Sequence, residues 1–158
     1  MTNSQHAGVL RVADALAAAG ATGEVVELAA EVRTAALAAA ALGVEVGAIA
    51  NSLVFDADGE PLLVLTSGAH RVDTAKVAAL VGVRELRRAT PDFVRSATGQ
   101  AIGGVAPVGH PGRVPTYVDT ALEQYPVIWA AAGIPHSVFP TTYGELLKLT
   151  DGTPITVN

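Results

Sequence analysis

In the stretch GVEVGAIANSLVFDADGEPLLVLTSG, Gly43 to Gly68, two apolar runs flank the dipeptide Asp58-Gly59. Asp-Gly between hydrophobic runs is a strong hairpin signal, because both residues tolerate the positive φ of a tight turn. The pattern predicts a strand over Ile49 to Phe55, a turn, and a second strand over Leu62 to Thr66. Both runs are too apolar for a sheet with one wet face, so the hairpin is expected at the centre of the fold.

On either side, helical and extended segments alternate. Ser4 to Ala19 spaces Val9, Leu10, Ala13, Leu16 and Ala17 as one helix face, with Gly20 as its stop. Glu24 to Leu28 reads as a short strand, and Arg33 to Leu42 as an alanine-rich helix closed by Gly43. Downstream, Asp73 or Thr74 caps a helix through Leu80 that ends at Gly82, and Thr90-Pro91 opens another through Ala97. Further strands are expected at Val114 to Val118, Val127 to Ala131 and Ser137 to Phe139, with a helical turn over Asp119 to Gln124 and a last helix over Tyr143 to Leu149. Strands that alternate with short helices, some joined by hairpins, predict an α/β fold built on a mixed sheet.

A chain of 158 residues fits one domain spanning 1–158, large enough to bury a core without metal or disulfide support. Only 4% of residues are aromatic, so that core must be built from Val, Leu, Ile and Ala. The absence of cysteine removes disulfides, thiol nucleophiles and thiolate metal sites. No apolar run reaches the roughly 18 residues of a membrane span, and the start MTNSQH lacks the pattern of a signal peptide. The expectation is a cytoplasmic protein with no membrane partner.

A net charge of −5 argues against indiscriminate coating of nucleic acid, and DNA is not an expected partner. The charges are uneven, however. Seven of the ten basic residues (Arg71, Lys76, Arg84, Arg87, Arg88, Arg95, Arg113) lie between Arg71 and Arg113 against three acids, Asp73, Glu85 and Asp92. This is the footprint of one face that meets a polyanion, with a solvated helix face as the competing reading.

The segment TGQAIGGVAPVGH, Thr98 to His110, interrupts the alanine-rich text with four glycines and a proline. Glycines allow positive φ and close approach to the backbone, and successive backbone amides in turns form nests with a fixed partial positive charge. Such a loop suits a carbonyl oxygen or an anion; a structural bend is the alternative. His6, His70, His110 and His136 show no ligand spacing, so neither a metal nor a cofactor is expected. A G-x-S-x-G elbow and a P-loop are both missing. What remains is a site where backbone amides polarise a carbonyl while water or the substrate's own hydroxyl attacks. His110, at the end of the loop, is a candidate to donate to a substrate oxygen.

Five blocks in order, NSLVF (51–55), TSGAHRVD (66–73), ATPDF (89–93), TGQAIGGVAPVG (98–109) and WAAAG (129–133), resemble the YbaK/ProX family of aminoacyl-tRNA deacylases, which is similar to the editing insertion of bacterial prolyl-tRNA synthetases. The similarity runs from about Val25 to Thr150. It implies a compact α/β domain with a mixed, barrel-like sheet surrounded by short helices. The implied activity is metal-independent hydrolysis of the ester between a wrong amino acid and the terminal adenosine of a tRNA, tRNA(Pro)-type substrates included. The family's G-x-x-x-P loop maps onto Gly103 to Pro107, so the backbone of Gly103, Gly104, Val105, Ala106 and Pro107 is the implied catalytic element.

Two departures bear on rate and substrate range. Asn51 stands where many family members carry a lysine; an amide supplies no positive charge but donates and accepts hydrogen bonds, which keeps Asn51 among the catalytic candidates. Ala131 occupies the position of a serine that some cysteinyl-tRNA deacylases carry. Substrate contacts are expected from Ser52, Ser67, His70, Arg71, His110, Ala131 and Gly133, and phosphate contacts at the 3′ acceptor end from Arg87, Arg88 and Arg113 as well as Arg71. For Ser67 and His70 a turn capping the helix near Asp73 is an equal reading. Phe55 and Trp129 read as core. An apolar pocket separates substrates by a methylene with only about 1–3 kcal/mol, so a hydrolytic sieve for small side chains is useful. Two other readings stay open: a module that binds the RNA end without hydrolysis, and an esterase for small aminoacyl compounds.

Overall fold

The computed structural model describes residues 7–32 and 34–158. The expected helix start at Ser4, together with His6 and Arg33, lies outside the described residues. Five helices surround the sheet: α1 (Ala7–Ala18), α2 (Ala35–Leu42), α3 (Thr74–Val81), α4 (Pro91–Thr98) and α5 (Tyr143–Thr150). The strands are β1 (Val26–Glu27), β2 (Ile49–Ala57), β3 (Glu60–Ser67), β4 (Leu86–Arg88), β5 (Thr116–Asp119), β6 (Ile128–Ala131), β7 (Ser137–Thr141) and β8 (Thr153–Ile155). They form one mixed sheet in the order β1-β7-β6-β2-β3-β5-β8, with β4 added beside β2. The pairs β2·β6, β3·β5 and β5·β8 are parallel, and the remaining pairs are antiparallel.

The hairpin of β2 and β3 is the centre of this sheet, as its apolar runs require. Asp58 and Gly59 take φ of 52° and 95°, and the Gly59 N–H donates to the Asp56 carboxylate at 2.7 Å. Along β3 the faces alternate between two cores. Leu63 and Leu65 enter a cluster with Val12, Val94, Val118 and Phe139, while Leu62 and Val64 enter another with Phe55, Val77 and Leu86. Leu63, Val64 and Leu65 are all fully buried, so the strand carries no polar face.

The helices begin and end where local chemistry demands. The side chains of Asp73, Thr90 and Thr142 accept from the N–H three residues on, and Gly43, Gly82 and Gly99 close α2, α3 and α4 in the left-handed conformation. Two strands had no counterpart in the expected elements. β4 is three residues long with two exposed arginines, and β8 is three residues long and contains Pro154. Both are fixed by tertiary pairing rather than by an apolar pattern. Asp58 contributes to the placement of β4, because its carboxylate accepts from the N–H groups of Arg84 and Glu85 at 2.9 and 3.2 Å.

One edge of β2 is divided. Ile49 and Ala50 pair with β6, and Phe55 to Ala57 pair with β4. Between these ladders, Asn51 to Val54 have no strand on that side among the described residues, although β3 covers their other edge throughout. N–H and C=O groups point alternately to the two edges of a strand, so two of these four residues turn theirs into the gap. No turn or loop hydrogen bond among the described residues reaches their backbone.

Candidate active site

Ile102, Gly103 and Val105 line clefts together with Asn51 to Val54. Two clefts meet there and share Asn51, Ser52, Gly103 and Val105 as common lining. The larger, about 380 Å³, has an apolar floor of Leu53, Phe55, Val72, Val94 and Ile102 and carries Arg71 and Arg88. The smaller, about 50 Å³, is walled by Ala38, Trp129, Ala131, Pro135 and Val138. Among the described residues, neither cleft is lined by a carboxylate or a histidine.

The loop is held by side chains and by the turn after β6. Gln100, 3% exposed, accepts from the Ala106 N–H through Oε1 at 2.7 Å and donates to the Val108 carbonyl through Nε2 at 3.1 Å. Thr98 supports Gln100 in turn, with its hydroxyl donating to the Val94 carbonyl at 2.7 Å and accepting from the Gln100 N–H at 3.1 Å. His110 Nε2 sits 2.8 Å from the Ala106 carbonyl, so this nitrogen carries the proton and donates. Burial lowers the His110 pKa below 6.5, and the hydrogen bond to Ala106 opposes that shift. The imidazole is therefore neutral near pH 7 and serves the loop.

Of the loop amides, those of Gly104 and Ala106 are engaged, by the Ala101 carbonyl at 3.2 Å and by Gln100 respectively. Pro107 has none to offer. The N–H groups of Gly103 and Val105 have no hydrogen-bond partner among the described residues. Gly103 adopts φ of 92°. Gly104 packs so closely that a Cβ there would stand 2.6 Å from the Pro135 nitrogen. The Gly133 N–H donates to the Gly104 carbonyl at 2.9 Å, which ties the loop to the end of β6. At the junction of the clefts, the Ser52 hydroxyl is buried and has no hydrogen-bond partner among the described residues.

The remaining expected site residues divide cleanly. Asn51, Ser52, Arg71, Arg88 and Ala131 line the clefts. Ser67 and His70 belong instead to a network around Asp119, which is 1% exposed. Its carboxylate accepts from the Ser67 N–H at 2.9 Å, the Ala121 N–H at 3.0 Å and the Thr66 hydroxyl at 3.3 Å, and lies 2.8 Å from His70 Nδ1. Arg87 pairs with Glu85 and Arg113 with Asp151, both at 3.0 Å and both outside the clefts. Gly133 and His110 secure the loop without lining either cleft. Trp129 is half-buried and forms a wall of the smaller cleft as well as packing on the core beside α2. Gln100 and Thr98 were not among the expected residues; a glutamine between glycines carries no periodic or motif signal.

Residues 29–149 match the model of the aminoacyl-tRNA editing domain. A solved structure described as "Crystal structure of a putative trans-editing enzyme for prolyl tRNA synthetase" is 46% identical, covers 98% of this chain and 99% of its own, and superposes with a TM-score of 0.93. The uncharacterized protein YwhH of Bacillus subtilis (strain 168) is 32% identical over 110 residues, 69% of each chain. The proline–tRNA ligase of Nitratidesulfovibrio vulgaris (strain DP4) is 38% identical over 82 residues, which make up 52% of this chain but only 14% of the ligase.

Proposed function

This chain belongs to the aminoacyl-tRNA editing domain family, and on that basis we propose that it is a trans-editing deacylase that hydrolyses the ester of a small amino acid mischarged on tRNA. The observation that carries the reading is the pair of unengaged N–H groups, Gly103 and Val105, beside Asn51 and Ser52 at the meeting of a basic cleft and a small one. The larger cleft takes the terminal adenosine, with Arg71 and Arg88 toward the phosphates of the acceptor end. The smaller takes the amino-acid side chain. Its volume of about 50 Å³, against about 380 Å³ for the larger cleft, suits a small side chain. Alanine and serine fit that limit, and tRNA(Pro)-type substrates are the first to test.

In the reaction, the oxygen of a water attacks the ester carbonyl. The carbonyl oxygen takes up negative charge and receives hydrogen bonds from Gly103 and Val105, which are fixed in place before the charge develops. Collapse breaks the bond to the ribose oxygen, which takes up the proton released by the attacking water. Without histidine or carboxylate in the cleft lining, the vicinal ribose hydroxyl is the nearest relay for that proton. Asn51 orients it or the water through its amide. With water as the nucleophile, the products are the free amino acid and tRNA with its terminal hydroxyl restored. The reaction as drawn requires no metal.

The test is a deacylation screen of the purified chain against tRNAs charged with alanine, serine, cysteine and larger residues, alongside an Asn51→Lys variant. Release of a small amino acid by the unmodified chain is the expected result. Release by the variant alone would favour a module that binds the RNA end without hydrolysis, and release by neither would overturn the reading.

A further inference from the structure

Among the described residues, the Ser52 hydroxyl is buried without a partner at the seam between the two clefts. Beside it, the edge of β2 from Asn51 to Val54 turns two N–H and C=O pairs toward the gap left between β6 and β4. A buried hydroxyl is costly to leave unsatisfied, so a ligand group with a complementary hydrogen bond belongs there, within reach of the open strand edge. The loop side of the seam offers the unengaged Gly103 and Val105 N–H groups, which suit an oxygen. The β2 side adds acceptors beside its own N–H groups: two strand carbonyls and the buried serine oxygen. An aminoacyl ester carries one strong donor, its α-amino group, a single bond away from the carbon that bears both side chain and carbonyl. With the carbonyl at the loop and the side chain in the smaller cleft, that amino group faces β2. No carboxylate lines either cleft among the described residues, so an amine can be recognised there only by neutral acceptors. A serine hydroxyl serves in either protonation state, since it accepts from an ammonium and donates to a neutral amine.

We infer that Ser52 and the open edge of β2 bind the free α-amino group of the aminoacyl substrate, so that the site selects free aminoacyl esters over N-acylated ones. The inference rests on the deacylase reading above for the placement of carbonyl and side chain. An N-acyl group removes the positive charge, leaves one N–H and adds bulk at the strand edge.

Hydrolysis is measured on alanyl-tRNA and N-acetyl-alanyl-tRNA, and binding on the non-hydrolysable amide 3′-alanylamino-3′-deoxyadenosine and its N-acetyl form, all with the full chain. The free form is expected to be preferred by about tenfold or more in kcat/KM and in Kd, the scale of one hydrogen bond to a charged group. In Ser52→Ala the preference should narrow to about twofold. Equal hydrolysis of both esters by the unmodified chain would overturn the inference and leave the deacylase reading standing. Preferential binding of the free amide without hydrolysis of either ester would do the reverse. An unchanged preference in Ser52→Ala would remove Ser52 from the assignment, and no binding of either amide would sink both.

Discussion

Gln100 Oε1 accepts a hydrogen bond from the Ala106 N–H at 2.7 Å, inside the loop whose Gly103 and Val105 line both clefts. The same side chain donates to the Val108 carbonyl at 3.1 Å, so one glutamine fixes the loop on both sides of Pro107. The bond withdraws Ala106 from the candidate oxyanion donors and leaves Gly103 and Val105. Gln100→Ala is expected to cost about 1–3 kcal/mol of stability through the buried groups it leaves unpaired. It should also lower kcat by about 10–100-fold, because small displacements of positioned groups are expensive in rate. Gln100→Glu separates positioning from bulk packing. An ionised carboxylate still accepts from Ala106 but repels the Val108 carbonyl, whereas a protonated one restores both bonds. Its kcat should therefore rise as pH falls relative to that of the unmodified chain, and a parallel pH profile would refute the positioning role.

Adjacent glycines in this loop should fail in different ways. A Cβ on Gly103 meets nothing nearer than Pro135 Cγ at 3.9 Å, so Gly103→Ala must bear only the positive φ of 92°, a cost of about 1–2 kcal/mol. The fold should survive while kcat drops, because relaxing that φ rotates the free N–H away from the carbonyl. A Cβ on Gly104 runs into the backbone of Ile134 and Pro135, where no flexible side chain can give way. Gly104→Ala should lower Tm by more than Gly103→Ala does, and thermal unfolding beside kcat distinguishes the two. Loss of kcat in Gly104→Ala without loss of Tm would contradict the packing.

The central hairpin was readable because turn chemistry at Asp58-Gly59 and two unbroken apolar runs agree, and caps such as Asp73 and Thr90 mark helix starts through a bond made three residues away. β4 was not readable, since Leu86 is its one buried residue and its pairing depends on β2. The site was legible to the same degree. Glycine spacing exposes the loop, but which amides remain free depends on Gln100 and the Ala101 carbonyl. The basic segment marks a charged face, yet charge counting cannot separate Arg71 and Arg88, which reach the larger cleft, from Arg87 and Arg113, which are spent on Glu85 and Asp151. The open edge of β2 has no local signature, because it arises where β6 stops and β4 begins.

That division of the arginines predicts salt dependence. If Arg71 and Arg88 each contact one phosphate of the acceptor end, replacing either with alanine should flatten the slope of log K against log salt by about 0.7, the single-strand value per phosphate. Arg87→Ala and Arg113→Ala should leave the slope unchanged, since both side chains are exposed and paired away from the clefts. Filter binding of uncharged tRNA from low to physiological salt measures all four. Equal slopes for Arg71→Ala and the unmodified chain would move the phosphate path elsewhere.

His110 predicts a pH dependence of stability rather than of chemistry. Its pKa is lowered from 6.5 mainly by burial, against the hydrogen bond to Ala106 that raises it. Between the lowered pKa and 6.5 the unfolded chain holds more protons on this group than the folded one, so stability rises with pH across that window. Above it both states are neutral and the contribution is flat; below it the loss is complete. The imidazolium still donates from Nε2, so acid does not cut the bond to Ala106, and the loss is the cost of holding a charge in a buried place. His110→Gln keeps a donor but cannot titrate. Urea midpoints measured from about pH 7.5 to pH 5 should fall more steeply for the unmodified chain than for this variant. Parallel curves would show that His110 does not titrate differently in the folded state, and would leave the hydrogen bond as its sole hold on the loop.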